Sequence, residues 1–184
     1  LYLAAVVDAR EKLRAARPED KMAVFAVLMR LREICCDPRL IADNWEGGSA
    51  KLDACMELVT AAVEGGHRIL LFSQFTSMLE LLAKRLDEAG VSHFTLQGST
   101  PKPVRAELVR RFNSGEADVF LISLRAGGTG LNLTAADIVI HYDPWWNVAA
   151  QNQATDRAYR IGQRNPVQVY KLIAQDTIEE KIVE

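Results

Sequence analysis

Apolar positions recur along this chain with two periods, and the switch between them divides it. Up to residue 17 the chain is rich in Ala, Arg, Lys and Glu and reads as a helix. Pro18 interrupts it, a second helix is predicted from about Asp20 to Cys36, and Pro38 ends that one. The polar stretch from Asp43 to Ser49, with Gly47 and Gly48, reads as an exposed loop. Beyond it the pattern alternates. Leu52, Cys55, Met56, Val59 and Val63 fall at helical spacing until Gly65-Gly66. Ile69 to Phe72 is a short run without a polar residue, as in a strand covered on both faces. Phe75, Met78, Leu79, Leu82 and Leu86 form the next helical stripe, which Gly90 ends.

His93 to Leu96 then reads as a strand, and Val104, Leu108 and Phe112 mark a helix starting at Thr100-Pro101, with the hydroxyl as N-cap. Val119 to Ile122 and Ile138 to His141 are further short apolar strands. Residues 148–161 read as helix and Val167 to Ile173 as strand. Thr177-x-x-Glu180 is a capping box opening a last helix. Strands alternating with helices imply an α/β fold: a parallel sheet flanked by helices on both faces, here with an N-terminal helical extension. The expected division is a helical preamble over residues 1–48 and the α/β body over 49–184. Ligands of such sheets sit beyond the carboxyl ends of the strands. That rule selects Ser73-Gln74, Gln97 to Thr100, Ser123 to Gly130, and Tyr142 to Asn147, all rich in Gly, hydroxyls, amides or Trp.

Composition narrows the picture. The 184 residues are one domain's worth of chain. Neither end looks like a natural terminus, so a longer protein is expected. The net charge of −2 announces no nucleic-acid binder, so any such site must come from local arrangement. No apolar run approaches the ~20 residues needed to cross a bilayer, and no secretory signal is visible. A cytoplasmic place and no membrane partner are therefore expected. Cys35, Cys36 and Cys55 lack metal-ligand spacing and read as reduced core thiols, with no metal site.

Four features carry candidate chemistry. Gln153, Arg157 and Arg160, spaced by four and three, would share one helical face. A guanidinium pair held there suits a triphosphate, and the bland alternative is a solvated basic face. The segment Ser123 to Asn132 offers glycines that let backbone amides approach an anion, but lacks the dinucleotide fingerprint and the Lys of a phosphate loop. Gly98-Ser99-Thr100, followed by Lys102 and Arg105, sits at a predicted helix N-terminus that could bind phosphate or simply cap. Trp145-Trp146, after Asp143-Pro144, either plugs the domain or presents one ring to a partner or DNA groove. Asp87-Glu88-Ala89-Gly90 mimics an acidic nucleotide box but ends an amphipathic helix, and no Gly-Lys-Ser/Thr occurs.

Taken together, ILLFSQFTSMLELL from Ile69, LQGST from Leu96, VFLISLRAGGTGLNLTAADIVIHYDPWWN from Val119 and QATDRAYRIGQ from Gln153 resemble the C-terminal RecA-like (helicase C-terminal) lobe of Swi/Snf-type helicase-like ATPases. LREICCDPRL from Leu31 and TIEEKI from Thr177 are similar as well. The resemblance implies a DNA-dependent ATPase when this lobe is joined to an N-terminal RecA-like lobe, which would bind ATP and Mg²⁺. Alone, the chain is expected to be inactive. By resemblance, Arg157 and Arg160 would be arginine fingers, and Gly130, Asn132 and Gln153 would lie near the nucleotide. Gln74, Gly98, Ser99, Thr100, Lys102, Ser123, Arg125, Gly127 and Trp145 would meet double-stranded DNA. Asp37, Gln97 and Tyr159 depart from common family residues. The insertion-free body looks like bacterial members, for which a DNA-bound complex such as RNA polymerase is an implied partner and the nucleoid an implied place. The rival readings are an unwinding helicase lobe and a noncatalytic DNA-binding or partner-docking module.

Overall fold

The computed structural model describes residues 1–15, 17, 20–127, 130–158 and 162–184. Helices α1 (Tyr2–Ala15) and α2 (Lys21–Cys36) form the preamble, followed by a 3₁₀ turn at Pro38–Leu40. The body runs α3 (Ala50–Glu64), β1 (Ile69–Ser73), α4 (Thr76–Glu88), β2 (His93–Leu96), α5 (Lys102–Asn113), β3 (Val119–Ser123), α6 (Leu124–Gly127), β4 (Ile138–His141), α7 (Val148–Thr155), β5 (Gln168–Lys171) and α8 (Ile178–Val183). The five strands form one sheet in the order β2-β3-β1-β4-β5, with every pairing parallel.

The unbroken apolar runs have a simple cause. Side chains alternate across a strand, and both faces of this sheet are covered. Ile69, Leu71, Val119, Leu121, Ile138 and Ile140 face a core completed by Leu52, Val59, Met78, Leu79 and Leu82 of α3 and α4. Leu70, Phe72, Phe120, Ile122 and Val139 face a second core closed by Phe112, Leu133 and Ala154. β5 is the exception: all four residues are exposed, as befits a polar edge strand. It is shorter than the expected strand from Val167 to Ile173: Val167 is buried in the second core, and the strand runs from Gln168 to Lys171. Gly90 ends α4 in the left-handed region, at φ 68°, where a side chain would be strained.

Three expectations at helix ends are corrected. The helix expected over 148–161 ends at Thr155. There Arg157 N bonds Ala154 O and Ala158 N bonds Thr155 O, so the chain tightens into three-residue turns. Thr100 does not cap α5. Its hydroxyl accepts Gln97 N instead, and the helix begins at Lys102 without a side-chain cap. The box at α8 is also different: Thr177 Oγ1 accepts Glu179 N, at 3.2 Å.

The preamble docks on the body rather than standing apart. Ile178 N donates to Tyr2 Oη at 2.6 Å, and the last turns of α2 bury Leu31, Ile34, Cys35 and Cys36. All three cysteines are buried free thiols. Burial pushes Cys35 up to about 11 and Cys55 up to about 12, which leaves them poor nucleophiles. Among the described residues no helix is long and apolar enough to cross a membrane.

Candidate functional site

The sheet register brings the selected segments together. Ser73 pairs with Ser123, Leu96 with Ile122, and Phe72 with His141. Parallel strands end on the same side, so the segments after β2, β3, β1 and β4 emerge side by side along the carboxyl edge. Gln97 to Thr100, Leu124 to Gly127, Gln74, and Tyr142 to Asn147 therefore form one row.

At the β2 end, Arg105 does not point outward as an anion ligand. Its guanidinium donates to Thr100 O at 2.7 Å, Gly98 O at 2.7 Å and Gln97 O at 3.4 Å. One guanidinium thus gathers three of the loop's carbonyls. Among the described residues, the amides of Gly98 and Ser99 have no acceptor, and both residues are exposed. Nothing lies within 4 Å of the place a Cβ on Gly98 would occupy. Exposed Lys102 adds a cation. Free amides beside a lysine are a phosphate-sized anion cradle.

At the β3 end, Ser123 is buried, and its hydroxyl accepts Ala126 N at 3.3 Å. It caps α6, the short helix on which Arg125 is exposed. Gly127 closes that helix, and Gly128 and Thr129 lie outside the described residues.

The β1 and β4 ends are tied together by Asp143. Its carboxylate accepts Ser73 Oγ at 2.5 Å and Gln74 N at 3.3 Å. Burial pushes this carboxyl up to about 6, against the opposing pull of Ser73, Lys51, Arg32 and Gln74 N. The Gln74 amide Nε2 is buried without an acceptor among the described residues. The two tryptophans divide: Trp145 is half-buried against the second core, while Trp146 is 42% exposed. Behind them Lys51 bonds Glu179 at 2.6 Å, and Tyr142 Oη donates to Cys36 O at 2.8 Å.

On the α7 side the expected nucleotide groups separate. Gln153, Asn132 and Gly130 are exposed, and Gly130 takes φ 69° with open space where a Cβ would stand. Arg157 is 1% exposed, so it does not share an open face with Gln153. Leu133 N donates to Arg157 O at 3.0 Å, which ties the Gly130 to Leu133 segment to the turn after α7. Arg160 and Tyr159 lie outside the described residues. His141 Nε2 bonds Thr155 Oγ1 at 2.9 Å, and burial pushes its imidazole down to about 4, with Lys171 adding to the effect. Among the described residues no group of three His, Cys, Asp or Glu side chains could hold a metal ion.

Sequence reasoning missed Arg32, Asp143 and the inward role of Arg105. A signal for Arg32 existed. It lies four residues after Leu28 and four before Cys36, inside the apolar stripe of α2 rather than on its polar face.

Comparisons with known proteins show the family and the fold. The Helicase conserved C-terminal domain family matches residues 50–162. An uncharacterized ATP-dependent helicase of Mycoplasma pneumoniae is 39% identical over 176 residues, covering 94% of this chain and 17% of that protein. The mouse SWI/SNF-related matrix-associated actin-dependent regulator of chromatin subfamily A member 1 is 39% identical over 186 residues, covering 94% of this chain and 18% of its own length. The chain thus spans less than a fifth of the curated relatives it matches. The solved SWI2/SNF2 ATPase core of Sulfolobus solfataricus in complex with dsDNA superposes with a TM-score of 0.85 at 32% identity, covering 99% of this chain and 39% of that one. A five-stranded parallel sheet with this edge, matched along its length by such relatives, makes the chain a helicase C-terminal RecA-like lobe of the Swi/Snf type.

Proposed function

We propose that the chain is the second motor lobe of an ATP-driven translocase on double-stranded DNA. The observation that supports this best is the row of loops at the carboxyl edge. It offers the free amides of Gly98 and Ser99, with Thr100 beside them, and the exposed cations Lys102 and Arg125. Such groups follow phosphates and carry no base code. A related ATPase core has been solved on dsDNA. In this reading an N-terminal RecA-like lobe binds ATP and Mg²⁺. Gly130, Asn132 and Gln153 approach the nucleotide, and Arg160 is the arginine finger. Arg157 is buried in this lobe, so the reading rests on Arg160 as the finger. Hydrolysis opens and closes the cleft, and the motor moves along the duplex, with a DNA-bound complex such as RNA polymerase as the obstacle it displaces in the cytoplasm or nucleoid.

Unwinding is the less supported alternative. Separated bases need a stacked row of aromatics. Along the edge Tyr142 and Phe75 are buried and Trp145 is half-buried, which leaves Trp146 as the exposed ring among the described residues there. The test is the full-length protein on three substrates. Duplex should stimulate its ATPase more than single strands do. A triplex-forming third strand should be displaced while the duplex beneath stays paired. Efficient separation of a forked duplex, with single strands the better stimulant, refutes translocation and favours unwinding.

A further inference from the structure

Arg32 is a cation with 2% of its surface exposed, buried where the preamble meets the carboxyl edge. Removing an ion from water costs several kcal/mol, which its contacts must offset. Its Nη2 donates to Pro144 O at 2.6 Å and lies 3.9 Å from Asp143 Oδ2. Its guanidinium carbon lies 5.8 Å from the ring centre of Phe75 and 5.1 Å from that of Trp146. Nε has no acceptor among the described residues. A well-packed apolar side chain is often as stable or more stable than such an imperfectly satisfied buried charge. Bulk stability therefore does not explain an arginine here.

The identity of the contacts does. Phe75, Asp143, Pro144 and Trp146 all belong to the two segments that follow β1 and β4. Asp143 passes the constraint on, since it holds Ser73 Oγ and Gln74 N. One side chain on α2 thus fixes the peptide of Pro144, the face of Trp146 and, through Asp143, the placement of Gln74. We infer that Arg32 is a positioning residue that sets the DNA-facing edge of the lobe, holding the exposed Trp146 ring and the backbone at Gln74 in the placement that meets the duplex backbone. The inference rests on the DNA-translocase reading.

The test compares wild type, Arg32→Met and Arg32→Lys in the full-length protein. It reads the melting temperature, the maximal ATPase rate at saturating duplex, the duplex concentration giving half-maximal stimulation, and direct binding of a fluorescently labelled duplex. Met fills similar volume without donors or charge. Arg32→Met should raise the half-maximal duplex concentration about tenfold, or about 1.4 kcal/mol, with the maximal rate and melting temperature nearly unchanged. Arg32→Lys should recover part of the loss, because an ammonium can reach Pro144 O but lacks the flat face that lies on Trp146. Should Arg32→Met not fold, Ser73→Ala, which unties Asp143 from β1, should give the same split. Unchanged duplex affinity in Arg32→Met, or a loss of maximal rate in step with melting temperature and no recovery by Lys, overturns the positioning role. Wild-type ATPase and binding that ignore duplex altogether overturn the translocase reading and the inference with it, a result distinguishable because it needs no variant.

Discussion

Two buried titratable groups should make the stability of this lobe respond to acid in opposite senses. The Thr155 hydroxyl donates to Gln151 O at 3.3 Å, so it accepts from His141, and the imidazole proton sits on Nε2. Nδ1 is then bare and, among the described residues, without a partner. The ring lies 5.6 Å from that of Phe72. Protonation would put an unsatisfied charge there. The folded group titrates at about 4 against an ordinary 6.5. The unfolded chain therefore binds the proton first, and stability falls as pH drops from 6.5 to 4, by about 3 kcal/mol. Asp143 does the reverse. Its folded value of about 6 lies above the ordinary 3.8, so the folded state takes the proton first and gains about 3 kcal/mol over a similar range. Wild type should thus show a shallow net dependence from these two groups. His141→Gln can still donate to Thr155 but cannot titrate. Urea unfolding at intervals from pH 7 to pH 4 should show this variant gaining about 3 kcal/mol relative to wild type on acidification. Parallel curves for the two proteins would mean that His141 is not held neutral by burial, and the tautomer assignment would fall.

Other consequences follow from the site. Arg105→Ala should release the Gln97 to Thr100 carbonyls and weaken duplex binding several-fold with little loss of folding stability, checked by anisotropy and melting; unchanged binding would show that the loop holds its shape alone. Gly98→Val has room in this lobe, so it should melt normally yet bind duplex poorly, and normal binding would remove the loop from the interface. Arg157→Ala should destabilise the isolated lobe by on the order of 2–4 kcal/mol, because it truncates a large buried side chain. Arg160→Ala should leave melting intact and cut full-length turnover by a factor on the order of 10³. Equal melting losses in the two variants would dissolve that distinction. The isolated chain should show no ATPase activity with or without DNA, and duplex-stimulated turnover by it would sink the half-enzyme reading.

What was readable from sequence followed short-range rules. β1, β3 and β4 announce themselves as unbroken apolar runs, and the strand-end rule picks out the row of segments from the sequence. The end of α7 was not readable. No Gly or Pro interrupts Thr155 to Ala158, and the visible breaker is Gly162, so the predicted helix ran too far. The roles of Arg32 and Arg105 were hidden for different reasons. Arg105 follows a predicted helix N-terminus that could bind phosphate, whereas its guanidinium is engaged by the loop's own carbonyls. Arg32 meets Pro144 across 112 positions of sequence, and no local pattern encodes that meeting.

The placement of charge also explains why bulk charge misleads. The net charge of −2 is a sum over cations in different roles. Arg32 and Arg157 are buried, Lys51 is locked to Glu179, and Arg105 holds carbonyls, so none of these is free to neutralise phosphate by counting alone. The carboxylates are set apart as well. Asp53, Glu57, Glu64 and Glu88 line an open groove between α3 and α4, on the flank of the sheet. Glu64 and Glu88 close those helices, which run back from the carboxyl edge to the amino edge in a parallel α/β layer. At physiological salt, exposed charges are screened over about 8 Å. A phosphate at the carboxyl edge therefore responds to Lys102, Arg125 and the open amides of Gly98 and Ser99 far more than to the flank. An acidic chain can present a DNA-binding edge in this way, provided the loops that build it are held in place from within.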